Sequence, residues 1–290
     1  MNTLVPLGTT MRCRTVFISD VHLGFHGCSA GFLLDFLDRT DCDTLYLVGD
    51  IVDFWNLRKK RFWPKAHSEV LLKICEKARE GTRVVFVPGN HDEAVRPFNG
   101  MMFGCVEIQD RVIHETEDGQ RFLVLHGDQF DSVVRCSPWL AKLGSWAYDM
   151  LLRTNTVINR ARRLLGRDYW SLAAFLKHKV KNAVSYISSF EEAVVRAAAE
   201  EGVDGVVCGH IHRAEMTRMH DILYMNCGDW VESCTALVER KDGTMELLEW
   251  REHARRVKVV RNDPQGDLWD DVEDAVGAAV AEGAREGLAA

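Results

Sequence analysis

Five apolar runs in this chain each end at residues of the types that serve as metal ligands in proteins. The residues at these ends are two aspartates, one asparagine and four histidines: Asp20, His22, Asp50, Asn90, His126, His210 and His212. All offer nitrogen or oxygen donors, which favours Mn²⁺, Fe or Zn²⁺ over a soft ion, and four imidazoles make Mg²⁺ alone a poor fit. Divalent ions held by such a set can activate water for hydrolysis.

The number of candidate ligands indicates two ions rather than one. Seven ligands are too many for a tetrahedral zinc ion. They suit a pair of ions with about five or six ligands each that share one carboxylate, and Asp50 is the natural bridge. The expected cofactor is therefore two divalent ions, Mn²⁺ first, with Fe or Zn²⁺ as alternatives.

The apolar runs before these residues are typical of buried strands. Each has four or five apolar residues and stops at a polar cluster: 15–20, 44–50, 83–90, 121–128 and 205–210. Ligands of open α/β sheets collect at the carboxyl ends of strands, so distant side chains can converge on one crevice. Alternate residues of an extended segment share a face, which predicts Asp20 beside His22 and His210 beside His212.

A simpler explanation exists for each residue alone. A single histidine or aspartate after a strand is more often a turn former or a helix cap than a ligand. Five strands with the same ending make that explanation hard to sustain for the whole set. We therefore expect one metal centre.

Helical patterns lie between the strands. Residues 30–39 and 67–80 carry apolar side chains at i, i+3 and i+4, and Gly81 stands where a helix would end. This alternation of strand and helix indicates an α/β sheet. Three later runs are predicted as successive antiparallel strands: 223–230, 234–240 and 244–250.

Composition limits the class of protein. A chain of 290 residues with 47% hydrophobic and 27% charged residues is typical of a soluble globular protein, and a net charge of -7 argues against a wholly basic nucleic-acid binder. Nine cysteines, never spaced as C-x-x-C, favour a reduced, cytoplasmic compartment. Neither a leader nor a run of about 18 apolar residues is visible. Met11 is a candidate for the natural first residue.

The motifs D-V-H, G-D, G-N-H-D, H-G-D and G-H-I-H, in this order over residues 15 to about 240, resemble those of the calcineurin-like metallophosphoesterases. The resemblance implies an α/β (α+β) fold, a four-layer αββα sandwich of two mixed sheets, with a dinuclear centre. It also implies the two ligand sets: Asp20, His22, Asp50 and His212 for one ion, and Asp50, Asn90, His126 and His210 for the other.

The same resemblance implies further catalytic residues. His91, which is left without a metal, is the implied acid or charge stabiliser beside the reacting phosphate. Asp92 is implied to orient the His91 ring. The reaction class that follows is hydrolysis of a phosphoester or phosphoanhydride.

A long insertion after H-G-D is predicted to form a helical cap over residues 131–190. From 131 to 182 it carries ten lysines and arginines against three aspartates, a net charge of +7 against -14 for the remainder. With its aromatic residues, and a second basic and aromatic stretch at 54–65, it suits an anionic amphiphile at a membrane surface. The aromatic residues could instead fill the cap's own core, and nucleic acid would use the same side chains.

The predicted organisation has three parts: an N-terminal extension (1–14), a catalytic domain (15–255) that contains the cap, and an acidic C-terminal tail (256–290).

Within the superfamily the chain is most similar to the UDP-2,3-diacylglucosamine diphosphatases of lipid A synthesis, through G-D-I-V-D-F-W at 49–55 and the position of the cap. This implies cleavage of a nucleotide-activated glycolipid to UMP and 2,3-diacylglucosamine 1-phosphate, with peripheral contact at the cytoplasmic face of the inner membrane. Lys177 and Lys181, one helical turn apart, are candidate contacts for the diphosphate or the sugar phosphate.

One residue departs from that branch, which has arginine after G-N where this chain has His91. The departure leaves an alternative open, a metallophosphodiesterase or phosphatase that acts on another phospholipid, a nucleotide or a nucleic acid.

Overall fold

Four layers make up the protein. The computed structural model describes residues 10–132, 172–251 and 254–260, with side chains over 10–131 and 186–250. Helices cover an eight-stranded sheet, which packs face to face on a five-stranded sheet that a long helix covers in turn. Three apolar clusters fill the three interfaces between these layers. The predicted αββα sandwich of two mixed sheets is confirmed.

The first sheet contains the parallel strands that end at predicted ligands. Its strands are β1 (Met11–Ile18), β2 (Thr40–Val48), β3 (Arg83–Val87), β4 (Met102–Phe103), β5 (Val106–Ile108), β11 (Thr235–Glu239), β12 (Met245–Arg251) and β13 (Ala254–Val260). Their spatial order is β13-β12-β11-β1-β2-β3-β5-β4. Strands β1, β2, β3 and β5 are parallel to one another, and β11 pairs antiparallel with β1.

The second sheet is smaller and also combines parallel central strands with antiparallel strands. Its strands are β6 (Val112–Glu115), β7 (Arg121–Val124), β8 (Gly205–Cys208), β9 (Glu215–Met219) and β10 (Ile222–Asn226). The spatial order is β6-β7-β8-β10-β9, with β7, β8 and β10 parallel and the two edge strands antiparallel.

Side chains alternate between the two faces of each strand. On β1, Phe17 lies between the sheets, stacked on Tyr46 of β2 with ring centroids 4.9 Å apart, whereas Val16 faces the helices. Every strand that is buried on both faces therefore has a continuous apolar run, because both faces need apolar side chains.

Within the described residues, four α-helices flank the sheets. They are α1 (Ala30–Asp38), α2 (Phe54–Lys59), α3 (Lys65–Arg79) and α4 (Leu172–Glu200). Val70 and Ile74 of α3, and Leu33 of α1, pack on the first sheet. The final turns of α4 place Phe190 and Val194 on the second sheet. The amphipathic spacing predicted for α1 and α3 is confirmed.

The structure corrects one predicted strand pairing. The run at 223–230 gives β10, which lies in the second sheet beside β8 and β9 and does not pair with β11. Strands β11 and β12 do form the predicted hairpin. The length of the connection between β10 and β11 does not show which sheet contains β10, because a short loop can lead from one sheet to the other.

Strand pairing also differs from the predicted boundaries. β1 begins at Met11, within the predicted extension, because Met11 pairs with Thr40. β13 (Ala254–Val260) crosses the predicted start of the tail at 256. α4 continues without a break past 190, where the cap was predicted to end. Residues 133–171 of the predicted cap lie outside the described residues.

Candidate metal centre

The predicted ligands meet where strands from both sheets end. In the first sheet Asp20 and His22 follow β1, Asp50 follows β2 and Asn90 follows β3, while in the second His126 follows β7 and the pair His210 and His212 follows β8. Three groups have ligand atoms within 4.8 Å of one another: Asp20, His22 and His212; His22, Asp50 and His91; and Asp20, Asp50 and His126. The centre therefore lies at the joint between the sheets.

An unusual backbone conformation marks these residues. Five predicted ligands are left-handed: Asp20 (φ 51°), His22 (φ 55°), Asp50 (φ 54°), His210 (φ 72°) and His212 (φ 55°). A non-glycine residue pays about 1–3 kcal/mol for such a conformation, which must be enforced by its surroundings. Here the N–H of Asp20 donates to the Gly49 carbonyl at 3.0 Å, and that of His22 to the Asp50 carbonyl at 2.9 Å.

This conformation overturns one predicted geometry. The pairs D-x-H and H-x-H do not continue their strands in extended form, since β1 ends at Ile18 and β8 at Cys208. Left-handed turns place the side chains instead. His22 Nε2 still lies 3.8 Å from Asp20 Oδ1, but His210 and His212 turn toward different partners.

Asp20 links three of the histidines. Its carboxylate is fully buried. Oδ1 lies 3.2 Å from Nε2 of His212, and Oδ2 accepts the backbone N–H of His210 at 3.0 Å. The imidazole Nε2 atoms of His22 and His212 are themselves 3.2 Å apart. Two ring nitrogens at this distance around one carboxylate are suited to share a cation.

His126 is held in one orientation by the backbone. Its Nδ1 lies 3.0 Å from the Val48 carbonyl, which can only accept, so Nδ1 carries the proton. Its Nε2 faces Asp50, 3.5 Å from Oδ2. Metal-ligating histidines are commonly fixed in this way, with one ring N–H on a carbonyl and the other nitrogen free for the metal.

The electrostatics of the centre favour positive charge. Burial would lower the pKa of His126, but the carboxylates of Asp50 and Asp20 raise it to about 10. Burial would likewise lower the pKa of His212, and Asp20 raises it to about 9. Burial opposes a lower pKa for Asp20 and Asp50, yet the imidazoles around them lower both. The field that holds a proton on these rings would also hold a divalent cation.

Two glycines leave room for the carboxylates. A Cβ on Gly89 would overlap Oδ1 of Asp50, and one on Gly209 would overlap Oδ2 of Asp20 and lie 2.6 Å from Ser19 Oγ. Both glycines precede ligand-bearing residues in the motifs. The G of G-N-H-D and of G-H-I-H is thus required by close approach of the backbone to a carboxylate.

His210 is oriented by a residue that the sequence did not single out. Its Nε2 donates to Asp131 Oδ1 at 2.8 Å, and Asp131 also accepts from the Tyr186 hydroxyl at 2.7 Å. The His210 ring lies 5.2 Å from that of His126, so it borders the centre outside the three tight groups. Its Nδ1 is then the nitrogen left for a metal. The only feature of the sequence that indicated a role for Asp131 was its position three residues after H-G-D.

His91 is held by Asp53 rather than by its neighbour. Nδ1 of His91 lies 3.0 Å from Asp53 Oδ1, although its N–H does not point directly at the oxygen. Nε2 lies 3.9 Å from Asp50 Oδ2, and the Trp55 ring packs 4.2 Å from the imidazole. Asp53 also lies 3.4 Å from His22 Nδ1. The sequence signal for Asp53 was its place three residues after Asp50.

Asp92 has a different role from the predicted one. Its buried carboxylate accepts backbone N–H groups from Gly89 at 2.6 Å, Ile51 at 2.7 Å and Val52 at 3.2 Å. These bonds tie the turn after β2 to the turn after β3. The prediction that Asp92 orients the His91 ring is therefore wrong, because its oxygens are occupied by the backbone.

The residues present fit divalent cations. Three buried polar atoms of candidate ligands have no hydrogen-bond partner among the described residues: Asp20 Oδ1, Asn90 Oδ1 and His126 Nε2. Buried polar atoms are rarely left unpaired, so a missing partner is expected at each. All three are nitrogen or oxygen donors, which is the donor set of Mn²⁺, Fe or Zn²⁺.

Two predicted substrate contacts are only partly described. Lys177 and Lys181 fall on α4, as the predicted helix requires, but their side chains lie outside the described part. Among the helices that the structure describes, none is long and apolar enough to cross a membrane.

A two-sheet sandwich with carboxylates and imidazoles gathered at its strand ends defines a metal-dependent hydrolase. The protein belongs to the calcineurin-like phosphoesterase family, whose model matches residues 13–214. It is therefore a metal-dependent phosphoesterase, and the predicted family and enzyme class are confirmed.

Known relatives and structures are similar to different extents. UDP-2,3-diacylglucosamine hydrolase of Chromohalobacter salexigens is 27% identical over 214 residues, 69% of this chain and 80% of that protein. The enzyme of the same name from Shewanella loihica is 22% identical over 255 residues, 82% of this chain and 98% of that protein. Among solved structures, the phosphoesterase Yfce of E. coli is 13% identical with a TM-score of 0.43, covering 83% of this chain and 95% of that chain.

Proposed function

We propose that this phosphoesterase hydrolyses UDP-2,3-diacylglucosamine to UMP and 2,3-diacylglucosamine 1-phosphate. The observation that carries the proposal is the buried carboxylate and imidazole centre in a chain similar, over 69% and 82% of its length, to two proteins named UDP-2,3-diacylglucosamine hydrolase. The reaction forms a bond from a water oxygen to the phosphorus on the UMP side and breaks the bond from that phosphorus to the bridging oxygen.

The proposed ligand sets are those that the resemblance to the family implies, and the close approach of Asp20, His22, Asp50, His126 and His212 supports them. When bound, two divalent ions, expected to be Mn²⁺, supply Lewis acidity toward phosphate oxygens and acidify a water molecule. One set would be Asp20, His22, Asp50 and His212, and the other Asp50, Asn90, His126 and His210. Asp50 is common to both because its carboxylate lies within 4 Å of His22, His91 and His126 nitrogens.

His91 acts on the reacting group and Asp53 positions His91, and neither residue belongs to a ligand set. His91 presents Nε2 toward Asp50, and a proton there can stabilise charge on the phosphate or pass to the leaving bridging oxygen. Asp53 is a positioning residue, since it lies against the opposite nitrogen of the same ring. Trp55 limits the ring from one side.

The proposal also includes contacts to the substrate and the place where the protein works. Lys177 and Lys181 would contact the diphosphate or the sugar phosphate, and the cap predicted at 131–190 would hold the acyl chains. The protein would work at the cytoplasmic face of the inner membrane, in peripheral contact with it.

The test compares two substrates. Mn²⁺-dependent turnover of UDP-2,3-diacylglucosamine in detergent micelles is measured beside that of bis-p-nitrophenyl phosphate. Fast release of UMP with slow cleavage of the diester supports the proposal. Fast diester cleavage without UMP release would retain the metal-dependent phosphoesterase and reject the glycolipid.

Substitutions at two candidate ligands test the centre itself. Asp50→Ala and His126→Ala should each abolish hydrolysis and leave the circular dichroism spectrum unchanged. The matched control is Asp41→Ala, an exposed aspartate on β2, the strand that leads to Asp50. Activity retained in either centre variant would contradict the dinuclear proposal.

A second candidate, a phosphodiesterase for another substrate, is favoured by one residue. G-N-H-D places His91 where the glycolipid-cleaving branch has arginine, and the structure places that imidazole beside Asp50. The two-substrate comparison distinguishes the candidates.

A further inference from the structure

The last turn of α2 and the residues that follow it carry a concentrated positive charge on the protein surface. Four consecutive cations form it, here named the basic loop: Arg58, Lys59, Lys60 and Arg61. We propose that the basic loop, with the adjacent Trp63, is a docking surface for an anionic lipid bilayer. This inference deepens the proposed function, on which it rests for an amphiphilic substrate, by naming the surface that meets the membrane.

The cations of the basic loop lack partners within the described part of the chain. All four are exposed, and none forms an ion pair there. Neighbouring lysines do find carboxylates, as Lys65 with Glu69 at 2.8 Å and Lys73 with Asp38 at 2.8 Å show. Four adjacent like charges repel one another, and the negative surface of a bilayer can compensate them.

An apolar anchor stands beside these charges. Trp63 is 39% exposed, and its Nε1 already donates to Ser68 Oγ at 2.9 Å, so its one polar atom is satisfied within the chain. Its ring packs edge-on against buried His67 at 5.5 Å. Tryptophan is enriched at the interface of membranes because its amphipathic ring suits the headgroup region.

The loop is fixed in position relative to the metal centre. His67 Nδ1 accepts the N–H of Gly24, two residues after His22, at 3.0 Å. On its N-terminal side the basic loop starts in the last turn of α2, and Trp55 in the first turn of this helix packs on His91. The basic loop thus begins about one helical turn from the centre. A bilayer bound there would lie beside the site at which an amphiphile reacts.

A cavity of about 700 Å³ lies behind the basic loop. Phe32, Phe62 and Trp250 line it together with the charged residues Asp35 and Arg39. A single-stranded nucleic acid would instead require a charged groove with aromatic rings available for stacking on bases. The Trp63 ring is held against His67, and the charges occupy one loop. These features favour a lipid surface over nucleic acid.

Vesicle sedimentation of the full chain tests the proposal. The vesicles are phosphatidylcholine alone or with about one lipid in four replaced by phosphatidylglycerol, and binding should require the anionic lipid and weaken with salt. The loop variant combines Arg58→Gln, Lys59→Gln, Lys60→Gln and Arg61→Gln. Its affinity for anionic vesicles should fall by about 100-fold or more, since each charge near the surface contributes about fivefold.

The chain offers a matched control of equal charge change. Four exposed cations at the opposite end of the strands are replaced together: Arg12→Gln, Arg79→Gln, Arg121→Gln and Lys241→Gln. This variant should bind vesicles as the unchanged protein does. Equal loss in both variants, or no loss in the loop variant, would overturn the proposal.

Two further readouts separate the outcomes. Turnover of bis-p-nitrophenyl phosphate, which is soluble, should be unchanged in the loop variant. Failure of the glycolipid assay would reject the proposed substrate while leaving vesicle binding measurable. The proposal would be overturned if the protein did not bind anionic vesicles but bound single-stranded RNA, and if the loop variant lost that RNA binding.

Discussion

At the scale of single residues, five of the seven candidate ligands share a left-handed backbone, which the described residues show elsewhere at His220 and Cys234. Asp20, His22 and Asp50 are left-handed although none is glycine. Strain of this kind persists only where surrounding contacts enforce it, and it is concentrated at functional sites. The backbone of Asp53 is not left-handed, and its role follows from its contacts with the imidazoles of His22 and His91.

The pairing of His91 with Asp53 predicts a kinetic effect without metal loss. His91→Ala should lower kcat by about 10²-fold or more, as for loss of a general acid. Asp53→Asn should lower kcat by about 10-fold to 100-fold with little change in KM, and Asp53→Glu should recover part of the loss. Metal content by mass spectrometry should stay at the level of the unchanged protein in all three.

A double-mutant cycle checks that the two residues act together. Adding Asp53→Asn to His91→Ala should cost little more than His91→Ala alone, because the positioned group is already gone. Fully multiplicative losses, or loss of metal in Asp53→Asn, would show that contact with His22 is its main role.

At the scale of elements, tight turns after the strands allow two sheets to share one centre. The turns after β2 and β3 are joined by Asp92, whose carboxylate accepts N–H groups from both. On the second sheet the turn after β8 brings the backbone of Gly209 against Asp20. A turn of this kind tolerates no side chain.

The turn after β8 therefore predicts a defect from one methyl group. Gly209→Ala should reduce metal affinity and kcat by about tenfold or more, because its Cβ overlaps the Asp20 carboxylate and must displace it. Gly31→Ala in α1 is the control, since a Cβ there meets nothing within 4 Å. Isothermal titration with Mn²⁺ and diester turnover measure the two effects. Equal behaviour of both variants would contradict the close packing described.

At the scale of the whole molecule, the two sheets are also joined at the end away from the centre. Glu239 of β11 is fully buried and accepts from Thr15 Oγ1 at 2.7 Å and Arg14 Nη1 at 2.8 Å, and it lies 2.9 Å from Nε2 of His114 on β6. Burial would raise the pKa of Glu239, but these hydrogen bonds lower it to about 2.

The lowered pKa of Glu239 predicts a dependence of stability on pH. A carboxylate with a lowered folded pKa stabilises the protein above its unfolded pKa of about 4.5, and the contribution disappears as pH falls toward 2. Glu239→Gln should cost about 2–3 kcal/mol of unfolding free energy at pH 7. Urea unfolding at a series of pH values should show the gap between the two proteins narrowing from about pH 5 downward. A constant gap would show that Glu239 is not stabilised as the carboxylate.

The unpaired atoms at the centre predict that metals stabilise the fold as a whole. Mn²⁺ added to chelator-treated protein should raise Tm, because a ligand that binds only the folded state stabilises it by mass action. The effect should be about 2.7 kcal/mol at a free concentration of 100 Kd. Asp50→Ala should show little rise. An equal rise in both proteins would place the stabilising ions elsewhere.

The strands that end at the candidate ligands, the two helices on the first sheet and the candidate residues of the centre could all be predicted from the sequence. This was possible because buried parallel strands require continuous apolar runs, and because ligand types at five strand ends are visible without coordinates. The positions of Asp20, Asp50, His126 and His212 follow from such local signals.

The residues that orient the candidate ligands could be identified only from the fold. Asp53 contacts His91, Asp131 contacts His210, and Asp92 accepts backbone N–H groups. These contacts join turns that lie far apart in the sequence or that have no periodic pattern. Placement of β10 in the second sheet, and of β13 beyond the predicted boundary, depends on pairing with strands elsewhere in the chain. Pairing and turn conformation are set by long-range packing, whereas local spacing of residue types records only burial and the end of each strand.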